Sequence, residues 1–169
     1  MMKKINIALI TFSLLAFLPA NYSFGQFIPN APFKAASVSA PDFSLKELQG
    51  KFFQLSKQRG KPVLIFFGTT WCPSCRSELP LYKVIYETYA QRGLEVIYIN
   101  IMEPRGKVVK FVTANALPFK ILMDEDGEVS TDYAVVGVPT FVLIDRKGKI
   151  IKITHSTADL PIKKLFPAN

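Results

Sequence analysis

The chain has 169 residues, 49% hydrophobic and 20% charged. One ordinary domain with a real core is the reading. A wholly disordered chain is excluded, and there is little room for a second domain. The formal charge is +8, from 21 Lys plus Arg against 13 Asp plus Glu. The basic residues are scattered, with no dense run and no aromatic interleaving, so they read as a soluble basic surface rather than a nucleic-acid face. Two cysteines exclude a disulfide-dense scaffold, and one histidine excludes a centre built from several histidines.

Met1-Met2-Lys3-Lys4 is a short basic start, and Ile5 to Leu18 follows without a charge. Pro19, Ala20, Ser23 and Gly25 then bring in small and polar residues. That order is the pattern of a secretory signal peptide over residues 1–25, cut after Gly25. The apolar run is shorter than the roughly 20 residues a helix needs to span a bilayer, and an uncleaved membrane anchor is the alternative. Residues 26–39, with Pro29 and Pro32, read as a flexible leader, and 40–169 as the folded domain.

Phe43-Ser-Leu45 and Phe52-Phe53-Gln-Leu55 flank Gln49-Gly50-Lys51, which predicts a small hairpin. Val63 to Phe67 is an unbroken apolar run, as in a central strand buried on both faces. A helix is predicted from Cys72 to Gln91, with Leu79, Tyr82, Ile85 and Tyr86 on one face, Pro80 kinking it and Gly93 as its stop. A strand over Leu94–Met102, a helix over Lys107–Ala116 and a strand over Phe119–Met123 follow. Asp124-Glu-Asp-Gly127 has the spacing of a turn and is incomplete as a calcium loop. A short helix over Glu128–Val135 and a hairpin, Thr140–Ile144 with Ile150–Ile153, come next. A terminal helix is predicted from Ser156 or Thr157 to Phe166. Strand–helix–strand units imply parallel pairing and the late hairpin implies antiparallel edges. The fold class is therefore α/β, with a mixed central sheet and helices on both faces.

The chemistry concentrates at Trp71-Cys72-Pro73-Ser74-Cys75-Arg76, where a buried strand passes into a helix. A thiolate is stabilised at a helix N-terminus by unpaired N–H groups and the helix dipole. Cys72 is expected there, partly exposed, as the nucleophile, with Cys75 one turn inward on the same side to resolve a mixed disulfide. A zinc site needs about four ligands, and the chain offers two cysteines and the distant His155, which reads as a surface residue. A bridge closing so short a loop would stabilise the fold little.

On these residues the chain resembles thioredoxin-fold proteins, and more closely the exported thiol:disulfide oxidoreductases of the TlpA/ResA/CcmG group, which serve cytochrome c maturation. The resemblance covers about residues 40–155. It rests on Ala40-Pro41-Asp42-Phe43, Gly60-Lys61-Pro62-Val63-Leu64, Trp71 to Glu78, Val136-Gly137-Val138-Pro139-Thr140-Phe141 and Asp145 to Ile150. A peroxidase is the competing chemistry, but the proline that a peroxidatic cysteine ordinarily carries upstream is Ile65 here.

The resemblance implies a thioredoxin-like three-layer sandwich with an N-terminal hairpin extension and a cis Val138–Pro139 bond. It implies catalytic roles for Cys72, Cys75 and Glu78, the glutamate moving protons to and from the thiols. Thioredoxin's own upstream carboxylate is replaced by Phe66. Trp71, Pro73, Val138 and Pro139 are implied in substrate binding, the Val138 backbone pairing with an extended client. Ser74 departs from the proline that many relatives carry in that place, so no exact potential transfers. The cofactor is the redox-active cysteine pair itself, with no metal. The expected partners are disulfide-containing proteins and a membrane-embedded electron donor, with the chain acting as a monomer in the periplasm or at the outer face of the membrane. Disulfide oxidation or isomerisation of secreted proteins and non-catalytic peptide binding are the alternatives.

Overall fold

The computed structural model describes residues 38–166. The expected export signal and nearly all of the expected leader lie outside them. The apolar run becomes β3 (Val63–Gly68), every residue of it buried. It pairs in parallel with β4 (Glu95–Ile101), in register from Val63–Glu95 to Gly68–Asn100. β4 in turn pairs in parallel with β5 (Lys120–Asp124). On its other side β3 is antiparallel to β6 (Thr140–Ile144), and β6 to β7 (Ile150–Thr154). The predicted first hairpin forms as β1 (Ser44–Glu47) and β2 (Phe52–Gln54) and joins the sheet through β1 and β5. The spatial order is β2-β1-β5-β4-β3-β6-β7. β3 and β4 lie inside the sheet, which is why neither alternates apolar with polar residues.

Period-two alternation along β3 divides the core. Leu64 and Phe66 face α1 (Pro73–Tyr89) and α2 (Arg105–Ala114), meeting Leu79, Tyr82, Val108 and Phe111. Ile65 and Phe67 face the other layer, where α3 (Glu128–Asp132), Tyr133, Phe43 and Phe53 cover the sheet. This is the three-layer, thioredoxin-like arrangement. Phe66 anchors the first layer, with ring centroids 5.1 Å from Tyr82, 4.7 Å from Tyr98 and 4.5 Å from Phe141. The Tyr82 hydroxyl points at the carbonyls of Leu64 at 3.0 Å and Ile97 at 2.7 Å, pinning α1 to β3 and β4.

α1 runs unbroken through Pro80 and tightens into a 3-10 turn, Ala90–Arg92. Gly93 then stops it at φ 95°, a left-handed position that costs glycine little. The predicted terminal helix is corrected. It forms only two 3-10 turns, Thr157–Asp159 and Ile162–Leu165. Pro161 has no N–H to continue a helix and disfavours the helical conformation at Leu160, which is extended at φ −80°, ψ 120°. Ser156 nevertheless caps the first turn, accepting from Ala158 N at 3.3 Å. The last residues assigned to the leader also pair. Ser39 bridges Lys149, Ile150 N donates to Val38 O, and Ala40 N to Gly148 O, both at 2.9 Å. Among the described residues no helix is long and apolar enough to cross a membrane.

Candidate active site

Between β3 and α1 the chain turns through Thr69, Thr70 and Trp71, and Thr70 is held from both sides. Its N–H donates to Glu103 Oε2 at 2.6 Å and its hydroxyl to Oε1 at 2.7 Å. Its carbonyl accepts from Arg76 Nε at 3.1 Å and Nη2 at 2.7 Å. Glu103 also accepts from Asn100 Nδ2 at 2.8 Å and pairs with Lys107 at 2.7 Å. Burial alone would raise the Glu103 pKa, but hydrogen bonds from Lys107, Thr70 and Asn100 outweigh it and bring the value down to about 2. Sequence reasoning missed Glu103. Its signal was an acidic residue just after a strongly apolar strand, a position whose buried charge demands partners.

Cys72 is the N-cap of α1 (φ −74°, ψ 117°), with Pro73 opening the helix. Proline suits that place because the N–H it lacks would have had no intrahelical partner. The Cys72 sulfur accepts from Cys75 N at 3.1 Å, as a capping oxygen would. Partial exposure of Cys72 was expected. Instead Cys72 is 4% exposed and Cys75 fully buried. The reason is the loop before β6, which lies against the pair. The Cys72 thiol donates to the Val138 carbonyl at 3.6 Å, and the Val138–Pro139 bond is cis. Both cysteines are free thiols. Desolvation, with a smaller part from the Cys72 side chain, pushes the Cys75 thiol up to about 12.

The predicted binding residues come together around this pair. A groove of about 430 Å³ runs beside it, lined by Trp71, Met102, Gly127, Thr131, Val136 and Val138. Trp71 is 61% exposed, Met102 64% and Val136 95%, so the groove carries an apolar rim. Pro73 is exposed, and Pro139, within the loop, is buried. Gly127, at φ 78°, lets Met102 lie close, since a Cβ there would come 3.0 Å from its sulfur. Glu78 is half-buried, and its carboxylate accepts from Thr157 N at 3.0 Å and from the Thr157 hydroxyl. Its hydrogen bonds therefore run to the chain after β7. His155, exposed overall, directs ring Nδ1 at the Pro139 carbonyl, 2.7 Å away. Among the described residues no three His, Cys, Asp or Glu side chains gather where they could hold a metal ion.

A buried thiol pair at a helix N-terminus, roofed by a cis-proline loop on a thioredoxin-like fold, defines a centre for thiol–disulfide exchange. Residues 37–153 match the model of the AhpC/TSA family, and the chain belongs to that family, among its ResA-like thiol–disulfide oxidoreductases. It is 35% identical over 159 residues to the thiol-disulfide oxidoreductase ResA of Geobacillus thermodenitrificans, covering 93% of this chain and 91% of the relative. It is 33% identical over 162 residues to ResA of Bacillus subtilis, covering 93% and 89%. A thioredoxin-family thiol:disulfide interchange protein from Chlorobium tepidum superposes with a TM-score of 0.65 at 28% identity, covering 73% and 90%. A secreted Mycobacterium tuberculosis disulfide oxidoreductase, homologous to DsbE of E. coli, does so at 0.62 and 27%, again covering 73% and 90%.

Proposed function

We propose that this chain is an exported protein-disulfide reductase, with protein clients such as the haem-binding cysteines of apocytochrome c. The observation that carries this reading is the Cys72–Cys75 thiol pair at the α1 N-terminus under the Val138–Pro139 loop, in a chain 35% identical to a ResA protein. The signal-like sequence of residues 1–25 and the secreted relative support a place outside the cytoplasm.

In this reading the Cys72 thiolate attacks a client disulfide. The client S–S bond breaks, a mixed disulfide forms, and one client sulfur leaves and takes a proton. Cys75 then loses its proton and attacks the Cys72 sulfur. The Cys72–Cys75 disulfide forms, and the second client sulfur leaves as a thiol. The client gains two electrons and two protons; the cysteine pair supplies both. Once Cys72 is in the mixed disulfide it no longer opposes ionisation of Cys75, and Glu78 is the carboxylate assigned to receive the proton. The Val138 backbone and the Trp71 groove hold the client in an extended form. A membrane-embedded donor re-reduces the pair.

The reduction potential of Cys72–Cys75, equilibrated against glutathione or dithiothreitol, tests this. A value near or below about −250 mV is expected. A value near about −120 mV would overturn the reductase reading in favour of disulfide formation.

A further inference from the structure

Three successive carbonyls of the loop before β6 each receive a different donor. Gly137 O accepts from the Thr140 hydroxyl at 2.6 Å, Val138 O from the Cys72 thiol at 3.6 Å, and Pro139 O from His155 Nδ1 at 2.7 Å. A carbonyl only accepts, so Nδ1 must carry the imidazole proton. The Thr140 oxygen stands 3.4 Å from the same nitrogen. Its own proton is directed at Gly137, so it too presents a lone pair to the ring. His155 follows β7 directly, and Thr157, two residues on, holds Glu78. The segment from 155 to 157 thus grips both the loop over Cys72 and the carboxylate on α1.

We propose that His155 is a positioning residue for client capture. By holding the Pro139 carbonyl it keeps the Gly137–Thr140 backbone turned so that the Val138 peptide faces an incoming strand. This rests on the client-docking reading above and deepens it. Neither neighbouring grip replaces it: the Thr140 hydroxyl is committed to Gly137, and the Cys72 proton is given up during the reaction. His155 is the donor to the Pro139 carbonyl, and no step of the thiol exchange removes it.

The test uses the full chain, with insulin as the protein disulfide and 5,5′-dithiobis(2-nitrobenzoate) as the small one. His155→Leu is expected to raise KM for insulin about fivefold, the weight of one ordinary hydrogen bond. kcat and the rate with the small disulfide stay unchanged. His155→Asn, whose amide N–H stands where Nδ1 stands, restores KM. The chain has one histidine, so its imidazole ¹⁵N shifts in the unaltered protein read the tautomer directly, and a proton on Nδ1 is expected. An Nε2-protonated tautomer overturns the proposal. So does an insulin KM unmoved by His155→Leu, or an equal loss with both disulfides that Asn does not restore. If the unaltered chain reduces the small disulfide and not insulin, the docking reading fails instead, and the tautomer alone decides the role of His155.

Discussion

The Cys72 sulfur and the Val138 carbonyl oxygen stand 3.6 Å apart, joined by the thiol proton. The same sulfur accepts the Cys75 N–H at 3.1 Å. Ionisation or oxidation of Cys72 withdraws the donor and leaves the Val138 carbonyl open to a strand N–H. A docking client N–H and the Cys72 thiol would therefore compete for one acceptor, so that docking and ionisation of Cys72 would favour each other.

The two thiols should differ sharply in reactivity. Cys75 is fully buried, and that burial pushes its thiol up to about 12, so it is held as the neutral thiol at pH 7. Brief iodoacetamide treatment at pH 8, followed by peptide mass spectrometry, is expected to label Cys72 and spare Cys75. Cys75→Ser is expected to accumulate a mixed disulfide with a protein client, while Cys72→Ser forms none. Comparable labelling of both cysteines would contradict the arrangement.

Glu103 should shape acid stability. Its folded value, about 2, lies below the ordinary 4.5. The charged carboxylate therefore stabilises the fold fully above about pH 4.5, and that contribution fades as pH falls towards 2. Glu103→Gln is expected to cost about 1 kcal/mol at pH 7, a modest figure because Lys107 is 51% exposed and screened. It should also flatten the loss of stability between pH 4.5 and 2. Urea unfolding at pH 7 and pH 3 measures both, and an unchanged acid limb would show that Glu103 does not hold Thr70.

Gly68 ends β3 where a side chain cannot fit. A Cβ there would lie 2.6 Å from the Tyr98 hydroxyl and 3.0 Å from Phe66 Cε2. Gly68→Ala is expected to destabilise by about 1–3 kcal/mol through overpacking. Adding Tyr98→Phe should recover part of that, because it removes the nearest atom. Thermal melts of the two single variants and the double variant check the coupling, and strict additivity would count against it.

Trp71 should matter for binding and little for stability. It is 61% exposed on the groove rim, and exposed sites usually change stability by no more than about 0.5 kcal/mol. Trp71→Ala is expected to raise KM for a protein disulfide several-fold while the melting temperature stays put. A large fall in melting temperature would instead make Trp71 a support of the active loop.

Glu78 and Thr157 form a pair whose two halves can be altered separately. Glu78→Gln is expected to shift the pH dependence of thiol ionisation, followed by absorbance at 240 nm. Thr157→Val leaves the carboxylate with the backbone N–H of residue 157 but without the hydroxyl donor, and should shift the curve less. Curves that overlay that of the unaltered protein would remove Glu78 from proton transfer.

The central layer was legible in the chain because its signals are local. The Val63–Phe67 run, the turn glycines and the Asp145–Gly148 hairpin all gave elements within a residue or two. The cysteine pair was legible for the same reason, being contiguous. What escaped depends on distant residues. Glu103 lies 33 positions from Thr70, and His155 lies 16 from Pro139. Neither spacing carries a periodic signal. Burial of Cys72 escaped likewise, since its cover comes from residue 138, far along the chain. The terminal helix failed on a local term given too little weight, the proline within it.

β7 is an outermost strand, and bare outer strands invite pairing with other chains. Val38 to Ala40 run along its first residues and take up hydrogen-bonding groups at Gly148 and Ile150. A protease cut just after Ala40 would free the Gly148 carbonyl and the Ile150 N–H, at the start of that outer edge. Val38 to Ala40 therefore shorten the open outer edge of the sheet by its first residues.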